Sequence, residues 1–338
     1  MAARITIAEL AQRAGVSIST VDRMLNGRDP VRKATAERVL AAAEASGFYA
    51  THLLKERLGI GRPVVRMGVL LQQSNRTFYQ MIAQALATAA QDQDGLDLVV
   101  EHMDDLAPSA IAARMLDLGQ RVDVLAIVSA EHPRITQAIE TLHSMGVPVF
   151  GLISGLTAAC GTGQVTLDSW KLGRTAAWAI SRMSQARGPV AILLGNHRYR
   201  CQEVSESGFR SYLREHAPDL RLLEPISTFE DRSIGREVTE ALLQREPDLA
   251  AIYICGGGIS GAVEALAASG RARSIVTVGH ELMDVTRAGL MDGVLSMVLS
   301  HPVERLATEA IAAMRIAAGG GVLGQRLVPF EISTPENL

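Results

Sequence analysis

From residue 64 onward, short apolar runs alternate with longer helical stretches, and few folds accept that alternation. Residues 64–71, 96–101, 124–128, 147–152 and 163–167 read as strands, with helical patterns at 78–91, 109–118 and 135–145. A second series follows. Its strands fall at 190–194, 221–226, 250–255, 274–279 and 294–299, and its helices at 172–187, 203–214, 235–245, 259–270, 282–289 and 302–318. Strands separated by helices imply parallel α/β units. Two such series imply two similar lobes, with the chain recrossing near 296–300 and again near 320–326. Open parallel sheets place ligands at the carboxyl ends of their strands, so a cleft between the lobes is the expected site. At 338 residues and 48% hydrophobic content the chain has room for two or three domains and a sizeable core, which excludes a wholly disordered chain.

The first 62 residues differ from the rest. They carry ten Lys/Arg and six Asp/Glu, a net of +4, whereas the remainder carries 23 and 30, a net of −7. Thr6-Ile7-Ala8-Glu9 reads as a capping box, with Ile7, Leu10, Ala11 and Ala14 on one apolar stripe and Gly15 as the stop. Ser17 is placed to cap a second helix that buries Val21, Met24 and Leu25 and presents Ser19, Asp22, Arg23 and Asn26. Asn26-Gly27 reads as a turn. Asp29-Pro30 reads as the start of a third helix, running to about Ser46 with Gly47 behind it. Two short helices joined through a glycine, in a basic segment, suggest a helix-turn-helix, and spacing alone leaves a small helical cap equally open.

The run Ile5-Thr6-Ile7-Ala8-Glu9-Leu10-Ala11-Gln12-Arg13-Ala14-Gly15-Val16-Ser17-Ile18-Ser19-Thr20-Val21-Asp22-Arg23-Met24-Leu25-Asn26 resembles the N-terminal signature of the LacI/GalR family of bacterial transcription regulators. The order of elements along nearly the whole chain is similar to that family as well. The resemblance implies an all-α helix-turn-helix head on an α/β, two-lobed body like the type I periplasmic binding proteins. It implies a head over 1–50, a hinge over 51–63 and a ligand domain over 64–338. The first lobe then takes about 64–166 and 299–324, and the second about 167–298 and 325–338. It places Ile18, Ser19 and Arg23 against base edges, where an Arg fork suits guanine O6 and N7. Ser17, Thr20 and Asn26 then face phosphates, which orient the protein without reading sequence. Thr6, Thr51 and Arg57 complete the expected DNA contacts. Asp22 departs from the family's usual Ser; it is left to pair with a nearby Arg or to read a cytosine amino group.

The resemblance also implies a hinge helix with a Leu wedged into the minor groove. Here Arg57 stands at the Leu position, Leu54 at a usual Ala, and Ala50-Thr51 at a usual Pro-Asn. Some hinge helix is expected, with Leu58 as a displaced wedge, Arg57 entering a narrow groove, or no wedge at all. Gly59, Gly61 and Pro63 mark the boundary.

Ligand candidates follow the strand ends. After the first strand, Gln72-Gln73-Ser74-Asn75-Arg76-Thr77-Phe78-Tyr79 offers amides for sugar hydroxyls and two rings for a pyranose face. Asn75, Arg76, Phe78 and Tyr79 are the candidates there. Other family positions depart: Ile153-Ser154 replaces Asp-Arg, Glu203 an Arg, the glycines after Cys255 an Asp, and His280-Glu281 a Phe-Asp. Ser154, Arg198, Glu203, Gly256, Gly257, His280 and Glu281 are the remaining candidates. Asp168 keeps an acidic position with a structural role open to it. The implied partners are a palindromic double-stranded operator, a second copy of the chain, and a small sugar, polyol, sugar acid or sugar phosphate that sets operator affinity, with repression as the default.

One motif argues otherwise. Gly256-Gly257-Gly258-Ile259-Ser260-Gly261 fits GxGxxG after a strand, and Glu281 lies about 20 residues on, so a dinucleotide oxidoreductase or sensor is the alternative. A milder version puts a ligand carboxylate or phosphate on the amides at 257–259. No G-x-S-x-G, P-loop or HExxH is present, so no catalytic function, cofactor or metal is expected. Cys160, Cys201 and Cys255 have no metal spacing and fit a reducing compartment. With no signal-like start and no long apolar span, a cytoplasmic protein without membrane contact is expected.

Overall fold

The computed structural model describes residues 5–26, 31–57, 64–91, 93–184 and 188–338, with Glu56 and Arg57 described by their backbone alone. The Asp29-Pro30 cap, Gly27, Leu58, the Arg57 side chain and the Gly59–Pro63 boundary lie outside the described residues. The chain divides into two compact units, Met1–Val64 with Gln93–Leu96, and Val65–Asp92 with Asp97–Leu338.

The head contains four helices: α1 (Ile7–Ala14), α2 (Ile18–Asn26), α3 (Lys33–Ser46) and α4 (Thr51–Arg57). The capping box forms as read. Glu9 N–H donates to the Thr6 hydroxyl, and the Thr6 N–H donates back to the Glu9 carboxylate at 2.8 Å. That bond, with the Thr6 hydroxyl, holds the Glu9 carboxyl below its ordinary range. Gly15 ends α1 at φ 63°, which costs glycine nothing. The start of α3 differs from expectation. Its first helical residue is Lys33, with Arg32 at the cap and no side-chain cap bond. Leu10, Val21, Val39, Ala43, Phe48 and Leu54 join one core, so α4 packs as a member of the head. Leu54, where a small Ala was usual, is fully buried there.

The body holds two six-stranded sheets. The first lobe runs β1 (Val65–Gln72), α5 (Thr77–Gln91), β2 (Leu96–Met103), α6 (Pro108–Gly119), β3 (Val124–Ile127), α7 (Pro133–Ser144), β4 (Val149–Ile153) and β5 (Gly163–Leu167). The second runs α8 (Ser169–Met183), β6 (Val190–Leu194), α9 (Arg200–His216), β7 (Ile226–Ser227), α10 (Arg232–Arg245), β8 (Ala251–Cys255), α11 (Ile259–Ala268), β9 (Val276–His280), α12 (Asp284–Met291) and β10 (Met297–Ser300). The chain ends with α13 (Val303–Ala318), β11 (Gln325–Val328) and β12 (Glu331–Ser333). Strand orders are β11-β5-β4-β3-β1-β2 and β12-β10-β9-β8-β6-β7. Central strands such as β3, β4, β6 and β8 are buried on both faces, which is why they read as unbroken apolar runs.

Two expectations are corrected. Residues 325–338 do not belong wholly to the second lobe: Gln325–Val328 pair in parallel with β5 of the first sheet, and only β12 joins β10 in the second. The third crossing therefore falls after Val328. The strand expected over 221–226 shrinks to Ile226–Ser227 plus an isolated bridge from Leu222 to Val190, and Pro225 between them has no N–H to donate to a ladder. Asp168 has the structural role left open to it: its carboxylate accepts the Lys171 N–H and caps α8.

Candidate functional site

The head offers one polar helix face. Val21 and Met24 anchor α2 in the core, so helical spacing turns Ile18, Ser19, Arg23 and Asn26 outward. Ile18 is 57% exposed, a large aliphatic side chain free of the core. The Ser17 hydroxyl accepts the Thr20 N–H at 3.3 Å, so Ser17 caps α2 whatever else it touches. The Arg23 guanidinium folds back on its own helix, donating to the Ser19 carbonyl at 3.3 Å and the Thr20 hydroxyl at 3.5 Å. Asp22 accepts from Asn26 Nδ2 at 2.9 Å, and among the described residues no Arg pairs with it. Thr51 is half-buried, with its hydroxyl donating to the Phe48 carbonyl at 2.6 Å, so it serves the α3–α4 turn.

The body offers a cavity of about 740 Å³ between its lobes, at the carboxyl ends of strands from both sheets. Asn75, Arg76, Phe78, Tyr79, Gly256, Gly257, His280 and Glu281 line it. Three expected residues do not. Ser154 is fully buried, and its hydroxyl accepts the Cys201 N–H at 3.4 Å. Glu203 is exposed on α9, whose buried face is made by Ser205, Gly208, Phe209 and Leu213. Arg198 belongs to a smaller 240 Å³ pocket beside Phe229.

Hydrogen bonds cross the cavity from lobe to lobe. Gln72, at the end of β1, is the hub. Its oxygen accepts from Tyr199 at 2.7 Å and Tyr79 at 3.3 Å, and its Nε2 donates to the Val128 carbonyl at 3.0 Å. Burial keeps both phenols protonated, so they donate. The Arg76 guanidinium reaches from the first lobe to the Glu230 backbone carbonyl. The Glu131 N–H donates to the Arg198 carbonyl at 2.8 Å.

Deeper in, His280 Nε2 lies 2.8 Å from the Tyr253 hydroxyl, which lies 2.6 Å from Ser205 Oγ. Burial drives the His280 pKa down to about 4, so the ring is neutral. Glu281 lies 2.7 Å from His301 Nδ1 and accepts the His301 N–H at 3.2 Å. Burial opposes the Glu281 charge, and His301 outweighs it, holding the carboxyl below its usual range. His301 Nε2 is buried on the cavity wall with no hydrogen-bond partner among the described residues. Burial also pushes the Cys201 thiol up to about 12, which leaves it protonated and unreactive.

Backbone strain collects at the same place. Among the described residues, the non-glycine positions at positive φ are Gln73, Ile153, Phe229, Glu230 and Glu281. Each follows or ends a strand pointing at the cleft, and all but Phe229 line the cavity. Such conformations cost of order 1–3 kcal/mol each and persist where a site over-determines them. Sequence reasoning missed Glu230, Gln202 and His301. Their spacing carries no periodic signal, although His301 stands out as one of eight histidines at a strand end.

A family model described as periplasmic binding protein domain matches residues 67–321. A second, described as bacterial regulatory proteins, lacI family, matches residues 6–50. The chain belongs to the LacI family of bacterial regulatory proteins. The ribose import binding protein RbsB of Bacillus subtilis (strain 168) is 26% identical over 72% of this chain and 79% of its own. Catabolite control protein A of Priestia megaterium is 22% identical over 74% of this chain and 73% of its own. The fold is shared with a carbohydrate transporter solute binding protein from Agrobacterium radiobacter in complex with D-arabinose, at TM-score 0.75 and 15% identity, over 81% of this chain and 95% of that one.

This LacI-family chain is thus a DNA-binding transcriptional regulator with a ligand-binding body. The dinucleotide alternative fails on geometry. The strand–turn–helix at Gly256–Gly261 forms, but the Gly257 N–H already donates to Glu230 Oε2 at 2.9 Å, and Glu281 is committed to His301. The same bond removes the Gly257 amide as a receptor for a ligand anion. Among the described residues no helix is long and apolar enough to cross a membrane.

Proposed function

We propose that the regulator works as a homodimeric repressor on a palindromic operator, and that a carbohydrate-like ligand in the cleft sets its operator affinity. The observation that carries this reading is the cavity wall itself. It sets Phe78 and Tyr79 rings, 5.4 Å apart, beside side chains suited to hydroxyls: Asn75, Arg76, Glu230 and the unpartnered His301 Nε2. Rings cover the apolar face of a sugar while fixed donors and acceptors fix its orientation. The sugar-related relatives support the same class. On α2, Arg23 exchanges its two long intrahelical bonds for a guanine edge, and Ile18 meets a thymine methyl. Two copies place two such helices on half-sites one turn apart.

Ligand and DNA are linked through lobe closure. The Gln72–Tyr199 and Arg76–Glu230 contacts exist only with the lobes together. A ligand that adds bonds across the same gap favours that state, and any difference in head placement between states couples the two affinities reciprocally. The test has two parts. Selection from a random duplex pool, with sedimentation of the complex, is expected to yield an inverted repeat bound by two copies. A thermal-shift screen of sugars, polyols, sugar acids and sugar phosphates is expected to raise the melting temperature. A monomer on an asymmetric site, or no stabilising sugar or polyol, overturns the reading.

A further inference from the structure

Glu230 enters the cavity from the turn between β7 and α10, where Phe229 and Glu230 stand at φ 52° and 59°. Its carboxylate sits in a cradle of neutral donors. Oε1 accepts Gln202 Nε2 at 2.7 Å, and Oε2 accepts the Gly257 N–H at 2.9 Å. Gln202 is itself fixed, because its oxygen accepts the Gly195 and Asn196 N–H groups at 2.8 and 3.0 Å. A Cβ on Gly195 or Gly257 would overlap the carboxylate, so glycine at these two positions makes its room. Arg76, the cation beside it, donates to the Glu230 carbonyl instead of the carboxylate. Among the described residues the carboxylate has no ion-pair partner. Burial accordingly pushes its pKa up against the pull of Gln202, Gly257 and Arg76.

The rest of the wall repeats this charge. Asp231, Glu264, Glu281 and Asp284 line it against Arg76 and Arg232, and Arg232 is already paired with Glu264. A carboxylate has about four lone-pair positions, and the cradle uses two. The open pair is available to donors from the cavity. An anion entering there meets a like charge in a partly buried site, where repulsion is stronger than in bulk water.

Building on the carbohydrate reading, we infer that Glu230 is the charge-selecting residue of the cleft. It takes a hydroxyl or ammonium donor from the ligand and shuts out ligands that carry carboxylate or phosphate. The effector class narrows to neutral sugars, polyols and amino sugars.

The test uses the full chain and probes matched on shared skeletons: D-ribose with D-ribose 5-phosphate, and D-glucose with D-glucosamine, D-gluconate and D-glucose 6-phosphate. Thermal shift finds binders and calorimetry measures them near neutral pH. Stabilisation is expected from neutral or amino members only, with each anionic counterpart at least roughly tenfold weaker. Glu230→Gln keeps the cradle's shape and is expected to narrow that gap to within about threefold. An acid or phosphate that binds the wild type as well as its neutral counterpart overturns the charge selection and leaves the carbohydrate reading standing. So does an unchanged gap in Glu230→Gln. If no member stabilises the wild type, the carbohydrate reading fails and this inference fails with it. Should the variant not fold, the wild-type comparison decides alone.

Discussion

On α2, Asn26 pairs with Asp22, Arg23 with Ser19 and Thr20, and Ser17 with Ser19, all within about one helical turn and all exposed. In the cleft, Tyr199 pairs with Gln72 across 127 positions of chain, and Arg76 with Glu230 across 154. The local pairs on α2 are solvated and weak, and trading them for a base edge or phosphate costs little. The cleft pairs are buried or partly buried and hold two lobes together, so anything that enters must replace them or add to them. Each region is built for its task by where its polar groups find partners: one face stays free to dock, and the other changes state when occupied.

The contrast can be broken most forcibly at Leu54. It is fully buried in the small head core, and Leu54→Ala is expected to cost roughly 2–5 kcal/mol there. A head of this size has little stability to lose. Operator binding should disappear while ligand stabilisation of the body persists, as read by anisotropy and by calorimetric unfolding. Loss of both responses would mean that the two regions do not fold separately.

Acid sharpens the cleft side. The His280 pKa is about 4 when folded and about 6.5 when unfolded, so its contribution is fully present above pH 6.5 and is lost as pH falls toward 4. Glu281, also lowered, acts in the same direction. The unfolding free energy read by urea titration is expected to fall by roughly 3 kcal/mol over that window. His280→Asn should flatten most of the slope, and an unchanged slope would assign it elsewhere.

Arg23→Ala comes next. It is expected to lose roughly 1–3 kcal/mol of preference for the selected operator over scrambled duplex at fixed salt, with the body's melting temperature unmoved. Equal preference in wild type and variant removes Arg23 from base reading. The smallest effect belongs to Thr6→Ala, which breaks the capping box and is expected to cost about 1 kcal/mol in the head's transition alone.

The same contrast explains what was legible beforehand. Thr6, Gly15, Ser17 and Gly47 act within a turn of themselves, so their roles follow from neighbouring residues. Central strands such as β6 carry their burial as an apolar run, and their bounds follow closely. Glu230 gave no such sign. Its position depends on a left-handed turn, two distant glycines and a glutamine on another element. His301 gave no such sign either, because Glu281, its partner, lies on a neighbouring strand end. Glu203 and Ser154 were misplaced because one is exposed on α9 and the other is fully buried. The third crossing was placed a few residues early because β11 and β12 are three to four residues long and carry no strong pattern.

Coupling between cleft and head is tested most directly by a linkage titration. Operator affinity is measured by anisotropy with and without a saturating neutral sugar or polyol found by the screen, and that ligand's affinity is measured by calorimetry with and without operator. The two ratios are predicted to differ from one and to equal each other, since coupling is reciprocal. A ligand that binds the body tightly and leaves operator affinity unchanged would contradict it.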